Sequence, residues 1–306
     1  MYIIKSNKPA RQRWLESRKG QIVIQVVGLM RIKKLSPLVN RFSSRHPIIC
    51  VIGLIMVWLM AMIVLMGVAS TIFNLPYGSA LPATLSRLIV TLGVISLLWR
   101  LNWLKETGIA RLGNRQTWLV ALMGLLYFTS FSLFAFYGKF MFNFSHLWRS
   151  STAQETVIVH GFAGLGEEIM VRGLILYVLV RVWGRTRGGL FAGVLLTAVL
   201  FSIIHLTQVL TNELSPMSAI LLMIETLIVS FWWGAIVVSG GSIWPAVILH
   251  WLGNAVIVVQ GLTTAMIEPQ VLAYERLIWF ALPLSVVGTG LIFKAPLYLE
   301  PTVERT

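Results

Sequence analysis

Within one long apolar run the chain reads Gly166-Glu167-Glu168-Ile169-Met170-Val171-Arg172-Gly173. A carboxyl group in apolar surroundings is suited to proton transfer near neutral pH. Glu168 and Arg172 stand four residues apart, share a helix face and can pair, which accounts for one glutamate and the arginine structurally. Glu167 is rotated by about 100° from that face and is left for chemistry. Two further apolar runs carry Phe201-Ser202-Ile203-Ile204-His205 and His250-Trp251-Leu252-Gly253-Asn254. His250 and Asn254 lie one turn apart on one face. A lone histidine in an apolar helix is usually a hydrogen-bonded packing residue. Here three runs each contribute polar groups that would cost several kcal/mol apiece if unpartnered, so they are expected to converge. In such a cluster Glu167 could take a proton from water while a histidine shares or positions that water. Neutral His250 and the Asn254 amide could donate hydrogen bonds to an oxyanion developing on a peptide carbonyl. No serine or cysteine stands in a nucleophile motif, and Ser202 reads as packing.

The elements that must position these groups are helices. A spanning helix needs roughly 20 apolar residues, and eight runs qualify, at about 48–70, 84–99, 117–137, 156–180, 189–209, 218–239, 243–262 and 275–294. The spans place His205 nearer the outer boundary than His250, so convergence predicts that the fifth span extends or tilts further. Gly189 and Gly193, four apart, could permit close helix contact.

Composition agrees. Of the 306 residues 57% are hydrophobic and only 12% charged, with a mean hydropathy of +0.81. A soluble domain carries about 25% charged residues. The reading is an all-α fold: a polytopic membrane bundle of about eight transmembrane helices behind a basic N-terminal cytoplasmic tail. Residues 1–47 hold eleven Lys or Arg against the single Glu16, ten of the fourteen net positive charges. That concentration fits a tail against anionic lipid, with residues 21–35 as an interfacial helix. It does not fit nucleic acid, because no aromatic platform accompanies the charge. Arg100, Lys105, Arg111, Arg115, Arg181, Arg185 and Arg187 fall in loops assigned inside, whereas loops 71–83 and 210–217 have no Lys or Arg and 138–155 only Lys139 and Arg149. Both termini are therefore expected in the cytoplasm of a multi-pass cell-membrane protein. A 47-residue basic leader is too long for a signal peptide, and the lone Cys50 excludes an intramolecular disulfide.

The motifs Glu167-Glu168-x-x-x-Arg172, Phe201-x-x-x-His205 and His250-x-x-x-Asn254, in that order on successive spans, resemble the CPBP family of intramembrane proteases. This family, also called Abi or CAAX-protease-like, includes the Rce1 type of CAAX endopeptidase. Gly240-Gly241-Ser242-Ile243-Trp244-Pro245-Ala246 also looks like the family's entry into its last motif. The resemblance covers about residues 155–262, the expected catalytic core of a transmembrane domain at 48–298. It implies Glu167 as water-activating base, His205 as its catalytic partner, and His250 with Asn254 as oxyanion site. Glu168 and Arg172 become structural support, and the implied substrate is a membrane-associated protein or peptide. Glu167, His205 and His250 could also supply three zinc ligands with one open position. The chain lacks His-Glu-x-x-His, and the oxyanion role already occupies His250, so no metal cofactor is favoured.

Two other function classes fit less well. A proton-coupled transporter would also bury Glu and His, but no internal symmetry is visible. A non-catalytic binding or immunity protein could keep the same fold. Glu225, in the sixth span, is either hydrogen-bonded within the bundle or a cavity residue. His160, two turns before Glu167, reads as an interfacial histidine.

Overall fold

The computed structural model describes residues 35–135, 151–206, 216–263 and 282–298. Among them all regular structure is helical: α1 (Leu35–Arg45), α2 (Pro47–Phe73), α3 (Ala80–Arg100), α4 (Arg115–Ala135), α5 (Ser151–Glu168), a π-helical segment (Ile169–Ile175), α6 (Leu176–Trp183), α7 (Arg187–Ile204), α8 (Pro216–Gly240), α9 (Trp244–Thr263) and α10 (Leu282–Lys294). The interfacial helix expected over residues 21–35 lies outside the described residues except at its last position. The loop with Lys139 and Arg149, and the start of the last expected span, lie outside them too. Pro47 opens α2 and Pro216 opens α8, positions where a missing N–H costs nothing because the first turn lacks acceptors.

Among the described residues four segments are long and apolar enough to cross a membrane: Pro47–Phe73, Ala80–Arg100, Arg187–Ile204 and Leu222–Gly240. The chain is an all-helical membrane bundle, and α2 shows why lipid must be its solvent. Ile52, Met56, Met60, Ile63, Val64, Val68 and Ile72 all point outward along it, while Val51, Ile55, Ala69 and Ser70 alone are buried. Water would leave that apolar stripe uncovered.

The core is built by α6 to α10. Leu176, Val180, Leu190, Val194, Trp232, Ile236, Ile243 and Ala246 form one buried cluster. Gly193 lets α7 approach α6, since a Cβ there would stand 3.2 Å from Val180 Cγ1. Gly189 does something else: its N–H donates to Thr186 Oγ1 in the turn that caps α7.

The closest helix approach near the motifs is α5 against α9, along Gly161 and Gly164. A Cβ at Gly161 would come within 2.7 Å of Trp251 Nε1, and one at Gly164 within 3.4 Å of His250 Cγ. The Trp251 indole meanwhile donates to Val157 O at 3.2 Å. Gly161→Ala is therefore expected to push the indole off its acceptor and to cost about 1–3 kcal/mol, read as a lower thermal midpoint in detergent.

The fifth expected span does not lengthen: α7 stops at Ile204, with His205 as its C-cap. The two histidines instead line one cavity from different points along their helices. His205 stands eighteen residues from the start of α7, about 27 Å, whereas His250 is six residues into α9, about 9 Å. The space beneath α9 is filled by residues 107–111. Trp244 Nε1 donates to Ile109 O at 2.9 Å and Ser242 Oγ to Arg111 O at 2.7 Å. Gly108 makes this possible, with φ of +79° and a Cβ position only 2.8 Å from Ser242 Cα. At the same end Tyr298 ties down the segment after α10. Its N–H donates to Gly184 O and its hydroxyl to Glu106 O, and burial pushes the phenol above its ordinary range, so it stays a donor.

Candidate active site

The polar cluster starts where α5 becomes π-helical, immediately after Glu168. The backbone stays helical through Glu168 and Ile175, so the π segment widens a continuous helix rather than breaking it. All seven of its residues are buried. Arg172, in this segment, is 1% exposed and Glu168 is fully buried.

Burying a guanidinium requires compensation on several sides. Arg172 Nη1 donates to Glu168 Oε1 at 2.7 Å. Nη2 donates to Ser230 Oγ at 2.7 Å and to Ser230 O at 3.3 Å, both on α8. Phe201 and Trp233 present ring faces 4.9 and 5.4 Å from the guanidinium carbon, a cation–π arrangement strengthened by desolvation. Ser230 and Trp233 carry no chemistry-bearing motif, so nothing in the sequence marked them.

Glu168 does more than pair with Arg172. Its Oε1 also accepts from His250 Nδ1 at 2.8 Å, so one carboxylate oxygen joins α5, the π segment and α9. The His250 ring packs on Trp233 with centroids 4.6 Å apart, and its Nε2 faces Glu167 Oε2 at 3.6 Å. That gap is too long for a direct hydrogen bond. With Nδ1–H committed to Glu168, a neutral His250 has no N–H left for an oxyanion. Donation from Nε2 requires the imidazolium, with Glu168 as counter-ion. Glu168, expected as structural support, thus also touches His250.

His205 is held by a shorter-range device. Its Nδ1 lies 3.1 Å from Phe201 O, one turn back. A carbonyl only accepts, so Nδ1 carries the proton, and the neutral form of the ring would present a lone pair at Nε2. Phe201 stands edge-on between the histidines, 4.9 Å from His205 and 6.1 Å from His250.

Two cavities of about 240 Å³ meet at this wall. Glu167, its side chain 25% exposed, lines the first with Trp58, Met62, Arg87 and Thr91. His250 and Asn254 line the second with Glu225, Trp232 and Trp233. Phe201 and His205 border both. The structure thus brings Glu167, Glu168, Arg172 and His250 into one contact network. It sets His205 on the shared wall and Asn254 on the second cavity. Glu225 is a cavity residue, and His160 lies within electrostatic range of Arg87, Glu167 and His250. Ser202 donates to Val199 O within its own helix, as a packing residue does. Arg87 is the lining residue that sequence reasoning passed over, although a cation in an apolar span is itself a signal.

Zinc would need three donors around one point. Glu167 Oε2 and His250 Nε2 are near each other, but His205 does not complete the set. Among the described residues no three His, Cys, Asp or Glu side chains are grouped to hold a metal ion.

Comparison with known proteins bears on the same stretch. Residues 149–256 match the family model described as type II CAAX prenyl endopeptidase Rce1-like, the type to which the three motifs point. The match contains Glu167, Glu168, Arg172, His205, His250 and Asn254. No curated protein and no solved structure matches the chain.

Proposed function

We propose that this membrane protein is an intramembrane endopeptidase of the CAAX-protease type, hydrolysing a peptide bond in a membrane-associated protein or peptide with water activated by Glu167. The family match supports the protease class. The observation that carries the mechanism is the Glu168 oxygen shared by Arg172 and His250, which leaves Glu167 as the carboxylate open to a cavity.

In the proposed reaction, Glu167 accepts a proton from water as the water oxygen bonds to the peptide carbonyl carbon. The lone pair at His205 Nε2, on the same cavity, accepts a hydrogen bond from that water and orients it. Negative charge on the carbonyl oxygen is met from the second cavity by the Asn254 amide and by Nε2–H of protonated His250. Collapse breaks the C–N bond while Glu167 returns its proton to the leaving nitrogen, giving a carboxylic acid and an amine. Every step uses side chains already present, so the proposal is a glutamate mechanism without metal. The setting is the cell membrane, crossed about eight times with both termini cytoplasmic, the basic tail on anionic lipid and no nucleic-acid partner.

The test is cleavage of membrane-associated peptides by purified protein in detergent. Wild type is expected to cut, and the Glu167→Ala/His205→Ala double variant to show only background at an unchanged thermal midpoint. Cleavage retained in that double variant would overturn the assignment.

A further inference from the structure

Arg87 sits on α3 in the wall of the Glu167 cavity. Its place is set by the packing of α3 on α5: a Cβ at Gly166 would stand 2.7 Å from Thr91 Oγ1 and 4.0 Å from Arg87 O. The helix that carries Arg87 therefore lies against the residue preceding Glu167. Thr91, one turn on, donates back to Arg87 O at 2.6 Å, which occupies the carbonyl and leaves the guanidinium untouched.

Arg172 shows how this fold normally houses a guanidinium, with a carboxylate, a serine and two ring faces. Arg87 has none of these. Among the described residues no hydrogen bond, ion pair or ring face holds its guanidinium, Glu167 included. The cavity is mixed: Thr91, Glu167 and His205 share its wall with the apolar Trp58, Leu59, Met62, Ala163 and Ile204. Arg87 is partly buried, and a partly buried guanidinium without a hydrogen-bond partner gains from an anionic one. Here the natural answer is an anion that arrives with the ligand. Peptides carry one anionic chemistry, the carboxylate, and the planar fork of arginine matches its two oxygens.

We infer that Arg87 is a specificity residue that binds a carboxylate of the substrate on the Glu167 side of the scissile bond. This rests on the hydrolytic reading of the site. The apolar walls take the neighbouring side chains, the guanidinium takes the charge, and the bond to be cut is drawn toward Glu167 and His205. The carboxylate comes either from a chain terminus or from an acidic side chain, and experiment distinguishes these.

The probes are short apolar peptides in three matched forms: free C-terminal carboxylate, C-terminal carboxamide, and carboxamide with one internal glutamate. Wild type in detergent is expected to prefer a carboxylate-bearing form by about ten- to a hundredfold, expressed in KM with kcat little changed. Arg87→Met should raise KM for the preferred form to that of the carboxamide peptide at an unchanged thermal midpoint, and Arg87→Lys should retain part of the preference. Whichever form responds names the source of the carboxylate. Equal handling of all three forms by wild type, or a preference that survives Arg87→Met, would overturn the inference. Binding of the same peptides to Glu167→Gln separates the two readings. Carboxylate-dependent binding that disappears in Glu167→Gln/Arg87→Met, with no cleavage by wild type, would remove the peptidase assignment and keep the anion site.

Discussion

Arg172→Met is expected to destabilise the protein by about 3–5 kcal/mol, measured as a fall in thermal midpoint and in resistance to denaturant in detergent. The reason is the asymmetry between breaking a buried charge pair and deleting it. Methionine fills much of the volume but leaves the Glu168 carboxylate fully buried, with His250 as its remaining partner. Glu168 Oε2 already lacks a hydrogen-bond partner among the described residues, so the carboxylate has little reserve. Removing both charges is a different experiment. Glu168→Leu/Arg172→Met should recover most of the lost stability, because no uncompensated ion remains. It should not recover cleavage, since His250 loses the acceptor that fixes its ring. A double variant as unstable as the single one would show that the pair is not what Arg172→Met disrupts.

Glu167→Gln should do the opposite. The substitution is isosteric, the side chain is partly exposed, and its nearest ionic neighbour among the described residues is His250 Nε2 at 3.6 Å, beyond hydrogen-bond range. Stability is therefore expected to stay within about 0.5 kcal/mol of wild type. Catalysis is not, because an amide cannot take a proton from water. Loss of a positioned general base costs about 10²–10⁴-fold in rate, and the fall should appear in kcat rather than KM. Two adjacent glutamates would then separate cleanly, one carrying the reaction and the other holding the structure. Cleavage at the wild-type rate in Glu167→Gln would reassign the base.

Much of this was legible without coordinates. The three motifs placed Glu167, Glu168, Arg172, His205, His250 and Asn254 on three apolar helices. Glu168 and Arg172 were expected to pair from their four-residue spacing, and they do at 2.7 Å. That inference is local, since helical periodicity states which residues share a face. The fifth span was expected to extend or tilt further, and α7 ends at Ile204 without extending.

The helical class, the membrane setting and the members of the polar cluster follow from residue types and spacing alone. In lipid only internally hydrogen-bonded backbone is tolerated, so long apolar runs become helices whatever they pack against. The tertiary structure decided that His250 meets Glu168 rather than Glu167 through a hydrogen bond, that Arg172 reaches Ser230, and that Arg87 borders the Glu167 cavity. These depend on the rotation and axial offset between helices. Offset and rotation are set by contacts far apart in the chain: Gly161 and Gly164 under Trp251 and His250, Gly166 against Thr91, and residues 107–111 beneath Trp244. No window of sequence contains both sides of such a contact, and it is there that the chemistry of the site is assembled.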